Sequence, residues 1–167
     1  MARRFRGESH HKVDAKGRVS VPAPFRRVLE AGDPDWTRGL RPQFVIHYGG
    51  ESQKFLEVYT MEAIDEVDRK IAALPRGSTR RRILEDLFQG QSLPSEVDRD
   101  GRLILPQKLR DKLELEDEAL FIGSGDTFKI WKPETYETVG RARIAAFLAE
   151  QPEDFDVLSL LDSPEGG

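Results

Sequence analysis

Apolar and polar positions alternate in two short stretches that are nearly copies of each other. VDAKGRVSVPAPFR spans residues 13–26 and VDRDGRLILPQKLR spans residues 97–110, an offset of 84 residues. In both, an Asp-x-x-Gly-Arg element precedes the alternation, which predicts a tight turn between two short strands. A proline then opens a short helix with an apolar stripe. The second stretch repeats the polar residues of the first as well as its apolar ones, so the repeat cannot be explained by a hydrophobic core alone.

Two β-rich runs, residues 44–59 and 119–131, predict one hairpin in each half because a glycine-containing turn interrupts each of them. These hairpins align at an offset of 72, so the first half carries about 12 extra residues. We place the extra residues in the loop of residues 32–42. Amphipathic patterns predict two helices between the halves and a last helix from residue 133 to about residue 150.

The pattern predicts an α+β fold built from a duplicated unit. The first repeat covers residues 7–60, the connecting amphipathic helices residues 61–90, and the second repeat residues 91–136. Residues 137–167 form a C-terminal helix and an acidic tail. One unit of about 50 residues buries too little surface and leaves strand edges unpaired. Two units that pair around a pseudo-twofold axis would share one core.

Composition narrows the class of protein. The chain is 38% apolar and 34% charged, and it contains no cysteine. No apolar run approaches the roughly 20 residues that span a bilayer. The absence of cysteine excludes disulfides and thiolate metal sites and fits a reducing compartment. We therefore expect a cytoplasmic protein that makes no membrane contact.

The net charge of −4 is unevenly distributed. Residues 1–18 hold six basic and two acidic side chains, whereas residues 144–167 hold six acidic side chains and no lysine or arginine. One interpretation is a basic contact surface at one end and a solvated acidic tail at the other. The other is an ordinary charged surface with a frayed terminus, which charge alone favours.

The sequence resembles the MraZ family of bacterial transcriptional regulators. The segments that carry the resemblance are FRG (5–7), DAKGR (14–18), VPAPFR (21–26), RRRILEDLFQGQS (80–92) and DRDGRLILP (98–106). The resemblance implies two tandem AbrB-like (SpoVT-AbrB) swapped-hairpin β units that form one pseudo-twofold β-barrel with flanking helices. It also implies a ring-shaped homo-oligomer that binds short direct repeats in double-stranded DNA. Such a protein usually represses the cell-division and cell-wall gene cluster, its own operon included, and is nucleoid-associated.

The first Asp-x-x-Gly-Arg turn is the candidate DNA contact. Lys16 can neutralise a phosphate, and Arg18 can bond either a phosphate or guanine N7 and O6. Asp14 and Gly17 are expected to shape the turn, through hydrogen bonds from the backbone and through a positive φ. Three more arginines would add phosphate contacts if they lay on the same face: Arg3, Arg4 and Arg6.

The second turn, shaped by Asp98 and Gly101, is expected to face a partner subunit or solvent. Asp100 stands where the first turn has a lysine, and an acidic side chain beside a phosphate lowers affinity. For Arg102, an ion pair with Asp14 across the repeats is slightly favoured over DNA contact. The arginines expected to hold the two repeats together are Arg26, Arg102 and Arg110.

No pattern predicts catalysis, a bound metal or a cofactor. His10 and His11 are adjacent while His47 is distant, so they lack the spacing of metal ligands. GSGD at residues 123–126 lacks the rest of a phosphate-binding loop. The arginine-rich residues 76–82 form either a second DNA patch or an exposed helix start, and the second is favoured. We expect neither an enzyme nor a small-molecule substrate.

Two functions of different classes stay open. The first is a sequence-specific DNA-binding regulator, favoured by the tandem repeat and by residues 80–92. The second is an antitoxin-like or scaffold module that uses the AbrB-type fold to bind a protein partner, and the acidic tail keeps it open. A phosphate-ester enzyme with Asp14 and Asp98 as metal ligands would need further carboxylates at the same site.

Overall fold

The computed structural model describes residues 3–162. The chain divides into two compact units, residues 1–133 and residues 134–167. The last part of the predicted acidic tail, residues 163–167 with Glu165, lies outside the described residues.

The described part of the first unit contains eight strands in two sets of four. The strands are β1 (Glu8–Lys12), β2 (Arg18–Ser20), β3 (Gln43–His47), β4 (Phe55–Thr60), β5 (Ser92–Glu96), β6 (Arg102–Ile104), β7 (Glu118–Gly123) and β8 (Thr127–Trp131). The helices are α1 (Ala23–Ala31), α2 (Met61–Ala72), α3 (Thr79–Leu87), the 3₁₀ turn Gln89–Gln91 and α4 (Gln107–Leu113). Each half therefore runs strand, turn, strand, short helix, hairpin, and the predicted α+β class is confirmed.

The strands form an open sheet and a separate ribbon. Six strands lie in the order β1-β7-β8-β4-β3-β5, and all their pairings are antiparallel. β2 and β6 pair with each other as a two-stranded antiparallel ribbon. The predicted closed β-barrel is therefore wrong. The turns after β1 and β5 lead the next strands away from the sheet, so its two edge strands stay unjoined within the described residues.

Strand pairing crosses between the two halves. β1 pairs with β7 of the second half, with His10 opposite Leu120. β5 pairs with β3 of the first half, with Pro94 opposite Val45. Neither half can complete its sheet alone, because the first strand of each one covers a hairpin edge of the other.

One apolar core lies between the sheet, the ribbon and the short helices. Alternation along the ribbon turns Val19 and Leu103 inward, and both side chains are completely buried. The core includes aromatic residues from both halves: Phe5, Phe25, Phe44, Phe121 and Phe128. The two repeats therefore share this core.

The extra residues of the first half are split between two connections. The loop after α1 covers residues 32–42, whereas the loop after α4 covers only residues 114–117. The hairpin turns also differ, residues 48–54 against residues 124–126. The prediction that one loop holds all the extra residues was wrong, because an alignment of strands alone cannot divide an insertion between two neighbouring loops.

Hydroxyl caps begin both helices between the repeats. Thr60 Oγ1 accepts a hydrogen bond from the backbone N–H of Ala63 at 3.0 Å and starts α2. Ser78 Oγ accepts one from the backbone N–H of Arg81 at 3.3 Å and starts α3. The predicted apolar face of α2 is buried at Ile64 and Ile71. α3 buries no residue, which leaves its apolar side chains exposed.

The second unit is helical. It contains most of the short helix α5 (Pro133–Thr135), the π-helical turn Tyr136–Gly140, α6 (Arg141–Ala149) and the 3₁₀ helix Val157–Asp162. Phe147 and Phe155 meet edge to face, with ring centroids 6.0 Å apart. None of the helices in residues 3–162 combines the length and the apolar character that a bilayer span requires.

Candidate nucleic-acid interface

The first tip, residues 14–17 between β1 and β2, is organised by one carboxylate. Asp14 Oδ1 accepts hydrogen bonds from the backbone N–H groups of Lys16 and Arg18, both at 2.9 Å. Asp14 Oδ2 accepts one from Nε of Arg18 at 2.6 Å. Gly17 has a φ of 82° and donates its N–H to the Asp14 carbonyl at 2.9 Å. The shape of the tip therefore depends on the ionised Asp14 and on a glycine.

Because of the hydrogen bonds to Asp14, the stability of the first tip depends on pH. They lower the pKa of Asp14 from 3.8 to about 2, and the backbone N–H of Arg18 is the largest cause. Because the pKa is lower in the folded state, this stabilisation is complete above about pH 4 and is lost as the pH falls towards about 2. We expect Asp14→Asn to melt below the wild type at pH 7 and together with it at pH 2. Circular dichroism melts across this range measure the difference, and a constant difference would contradict the assignment.

Lys16 and Arg18 differ in how free they are to bind a ligand. The side chain of Lys16 is exposed and has no ion pair within residues 3–162. Arg18 is 36% exposed and uses Nε on Asp14. Its two Nη groups remain available, because a guanidinium carries five N–H donors. Asp14 thus positions a cation that can still donate elsewhere, whereas the side chain of Lys16 makes no hydrogen bond or ion pair in the described chain.

The second tip, residues 98–101 between β5 and β6, repeats the turn with different ion pairs. Asp98 Oδ1 accepts hydrogen bonds from the backbone N–H groups of Asp100 at 2.8 Å and Arg102 at 3.0 Å. The guanidinium of Arg102 pairs with Asp98 at 3.7 Å and with Asp100 at 2.9 Å. The predicted ion pair between Arg102 and Asp14 was wrong, because each turn brings its own aspartate and arginine together.

Each tip rests on the other repeat. The backbone N–H of Leu105 donates to the carbonyl of Gly17 at 2.7 Å, and that of Val21 donates to the carbonyl of Gly101 at 2.9 Å. Arg110 reaches the carbonyl of Ala15 in the first tip at 3.3 Å. The guanidinium of Arg26 lies against Gly101 of the second tip, within 3.4 Å of where a β-carbon would stand. Arg26 and Arg110 therefore contact the opposite repeat through backbone groups rather than carboxylates.

The outer side of the β2–β6 ribbon carries two arginines, one serine and one isoleucine, which we call the ribbon face: Arg18, Ser20, Arg102 and Ile104. Each of these side chains is at least partly exposed, while the residues between them are buried. Ile104 is 48% exposed although it is apolar. The sequence-based site omitted Ser20 and Ile104 and assigned Arg102 elsewhere. Period-two alternation from Arg18 and Arg102 was the signal that could have found them.

The two tips lie at opposite ends of the ribbon. Gly17 precedes β2, and Val21, which bonds to Gly101, follows it. Four extended residues span roughly 13 Å, so this is the separation of the two tips. It is close to the width of a DNA major groove, about 12 Å, which admits a two-stranded ribbon. The ribbon face therefore extends over roughly 13 Å between the two tips.

Arg3, Arg4 and Arg6 do not join this surface. Phe5 pairs with Gly125 in the β7–β8 turn, which fixes these arginines at the opposite end of β1 from the first tip. Five extended residues separate the two ends by about 16 Å. Arg3 and Arg4 instead line a cavity of about 480 Å³ with three acidic residues: Glu62, Glu66 and Asp126. Their phosphate contact depends on a face shared with the first tip, and it stays a prediction.

The remaining candidates have local partners. His10 pairs with Glu118 at 2.6 Å, His11 contacts Ser9 at 2.7 Å, and His47 stacks on a phenylalanine. Residues 3–162 contain no cluster of three or more potential metal ligands.

In the arginine-rich stretch, Arg81 is only 15% exposed. Its guanidinium donates to the carbonyls of Leu74 at 3.0 Å and Ala72 at 3.4 Å. Nε of Arg81 pairs with Glu85 at 3.3 Å. One of the four arginines in this stretch therefore joins α2 to α3 rather than facing a ligand.

The fold and the site define a class of protein in which strands of the two halves pair with each other and a two-stranded antiparallel ribbon presents two arginines on its outer face. The chain belongs to the MraZ family. The family model described as "MraZ protein, putative antitoxin-like" matches residues 4–76 and 88–157.

Curated relatives cover the chain almost completely. The transcriptional regulator MraZ of Ruegeria sp. (strain TM1040) is 64% identical over 166 residues, which is 99% of both chains. That of Ruegeria pomeroyi is 63% identical over the same length and coverage. That of Cereibacter sphaeroides (strain ATCC 17025) is 47% identical over 169 aligned positions, 97% of this chain and 98% of the relative.

Proposed function

We propose that this chain is a transcription regulator that binds double-stranded DNA through the ribbon face and the first tip. The observation that carries the proposal is the placement of Arg18 and Arg102 on one exposed face, with the unpaired Lys16 beside them. The relatives are named as transcriptional regulators and not as enzymes.

The side chains of the first tip and the ribbon face divide into those that position the protein on DNA and those that read the bases. Lys16 binds a backbone phosphate and sets the register. Arg18, oriented by Asp14, binds phosphate or a guanine edge. Ile104 packs against a thymine methyl group. The hydroxyl of Ser20 forms a hydrogen bond with either a donor or an acceptor on a base edge. Arg102 contributes a second guanidinium when DNA phosphates compete with Asp100 for its Nη groups.

Assembly is part of the proposal. One ribbon with a few phosphate contacts binds weakly and loses affinity steeply with salt. A ring-shaped homo-oligomer that presents several ribbons to short direct repeats gains affinity through effective concentration. This assembly reconciles DNA binding with a net charge of −4. Repression of the cell-division and cell-wall cluster, with its own operon, and association with the nucleoid follow from the family resemblance.

We expect Lys16→Ala to bind DNA more weakly and with less salt dependence. The loss of one phosphate contact should lower the slope of log K against log salt by about 0.9. Fluorescence anisotropy with upstream DNA of the cell-division cluster, between about 50 and 200 mM salt, measures both quantities. Lys16 is the better choice than Arg18, because the side chain of Arg18 also bonds to the turn.

Arg69→Ala is the matched control for Lys16→Ala. It removes one positive charge from α2. The side chain of Arg69 is 71% exposed, and in sequence it lies far from both strands of the ribbon. We expect it to keep the wild-type slope. Equal salt slopes for the wild type and both variants would contradict the assignment of Lys16 as a phosphate contact. The oligomer mass of Lys16→Ala is measured in parallel, and an unchanged mass excludes disassembly as the cause of weaker binding.

A second candidate function is protein-partner binding, as in an antitoxin-like module. The exposed apolar side chains of the 3₁₀ helix in the second unit favour it: Val157, Leu158, Leu160 and Leu161. Failure of the wild-type protein to bind DNA at any salt concentration would favour this function over the first.

A further inference from the structure

The loop of residues 32–42, present only in the first half, is held in one shape by its own hydrogen bonds. Asp33 is 6% exposed and accepts hydrogen bonds from the backbone N–H groups of Asp35 at 3.0 Å and Gln43 at 2.9 Å. Nε1 of Trp36 donates to the carbonyl of Leu40 at 2.7 Å. These contacts close the loop on itself. The arginines that it carries therefore have defined positions.

This loop lies beside the second tip and forms a cavity of about 490 Å³ with it. The volume lies in the range of ordinary ligand sites. The loop contributes Arg38 and Arg41, and the second tip contributes Arg99. Arg26 completes a set of four arginines that line the cavity, against two acidic residues. The lining therefore carries an excess of positive charge, which favours an anion over a cation.

The four arginines differ in whether their side chains already have partners in the described chain. Arg26 donates to the carbonyl of Val21 at 3.2 Å, and Arg41 pairs with Glu96 at 3.0 Å. Arg38 and Arg99 have neither a hydrogen bond nor an ion pair of their side chains within residues 3–162.

The acidic residues of the cavity do not cancel these two charges. The Asp98 carboxylate is held by the backbone of its own turn and by Arg102. Glu30 is the other acidic residue of the lining. Arg38 and Arg99 therefore line the cavity with N–H donors that have no partner in the described chain. Guanidinium groups bind phosphate in a bidentate manner.

We propose that this cavity is a second phosphate site, which takes a phosphodiester of the DNA backbone. The proposal rests on the proposed function. The second tip has Asp100 where the first has Lys16, and the insertion loop brings Arg38 to that tip from elsewhere in the chain. Cations therefore flank both ends of the ribbon, roughly 13 Å apart. The corresponding loop of the second half, residues 114–117, is short and contains no arginine.

The test compares DNA binding by the wild type, Arg38→Ala, Arg99→Ala and Arg38→Lys. We expect each alanine variant to lose about five-fold in affinity at low salt and about 0.9 in salt slope. Arg38→Lys should keep the salt slope of the wild type, because it keeps the charge. Arg69→Ala is again the charge-matched control, and Lys16→Ala is run in parallel.

The outcomes separate this proposal from the proposed function. If Lys16→Ala loses affinity while Arg38→Ala and Arg99→Ala bind like the wild type, the cavity is not a DNA contact, although the function stands. If the wild type itself does not bind DNA, the proposed function fails. A parallel titration with inorganic phosphate at constant ionic strength uses Trp36 fluorescence, with Trp36→Phe as the blank. A saturable change there, with DNA affinity unaffected in both alanine variants, would assign the cavity to free phosphate and overturn the proposal.

Discussion

Phe128→Ala is expected to lower the free energy of unfolding by about 3–5 kcal/mol. Phe128 is completely buried and its ring lies 5.0 Å from that of Phe5, 4.9 Å from Phe25 and 5.1 Å from Phe121. Phe5 and Phe25 come from the first half of the chain, and Phe121 and Phe128 from the second half. The substitution removes buried apolar surface and leaves a cavity between rings of the two halves, and both effects lower the stability.

Chemical denaturation followed by circular dichroism measures this loss. Phe55→Ala is the control, because Phe55 is only partly buried and stacks on Trp131 at 4.9 Å near one end of its strand. We expect the control to lose less than half as much. Equal losses in the two variants would mean that the shared aromatic cluster is not the centre of stability.

Gly17→Ala is expected to remove most DNA affinity although it removes no charge. Gly17 has a φ of 82°, and a β-carbon there would lie 2.1 Å from the carbonyl oxygen of Leu105. The left-handed backbone costs an alanine about 1–2 kcal/mol. The clash with backbone forces the tip away from β6 and breaks the hydrogen bond from Leu105 to Gly17, worth about 1 kcal/mol. We therefore expect a loss of roughly 2–3 kcal/mol in stability and a displaced Lys16.

Gly7→Ala separates the clash from the backbone strain. Gly7 has a φ of 93°, but nothing lies within 4 Å of its would-be β-carbon. Thermal melts and DNA anisotropy on both variants give the comparison. Gly7→Ala should lose only the strain energy and should bind DNA normally. A wild-type DNA affinity in folded Gly17→Ala would show that the position of the first tip is irrelevant.

Local features could be predicted from the sequence because neighbouring residues determine them. Asp14 and Gly17 form their turn from within it, so the spacing of the motif was sufficient to predict a turn. The alternation that follows each turn was likewise sufficient to predict the short strands β2 and β6.

Features that depend on distant segments could not be predicted in this way. Periodicity does not tell which strand pairs with β1, and the open sheet follows from that pairing. The amino-terminal arginines are placed by the bridge between Phe5 and Gly125, two residues 120 positions apart. Arg38 reaches the second tip only through the fold of its loop. A charge count on the tip sequence therefore missed it.

Single-cysteine crosslinking to DNA tests the central claim most directly, because the chain contains no cysteine of its own. Ser20→Cys places a thiol on the ribbon face, and Ser124→Cys places one in the exposed β7–β8 turn beyond the far end of β1. Each variant is mixed with upstream DNA that carries a thiol-reactive tether, at low and at high salt. We predict an adduct with Ser20→Cys that disappears at high salt, and none with Ser124→Cys. Equal adducts from both positions, or an adduct from Ser124→Cys alone, would contradict DNA binding through the ribbon.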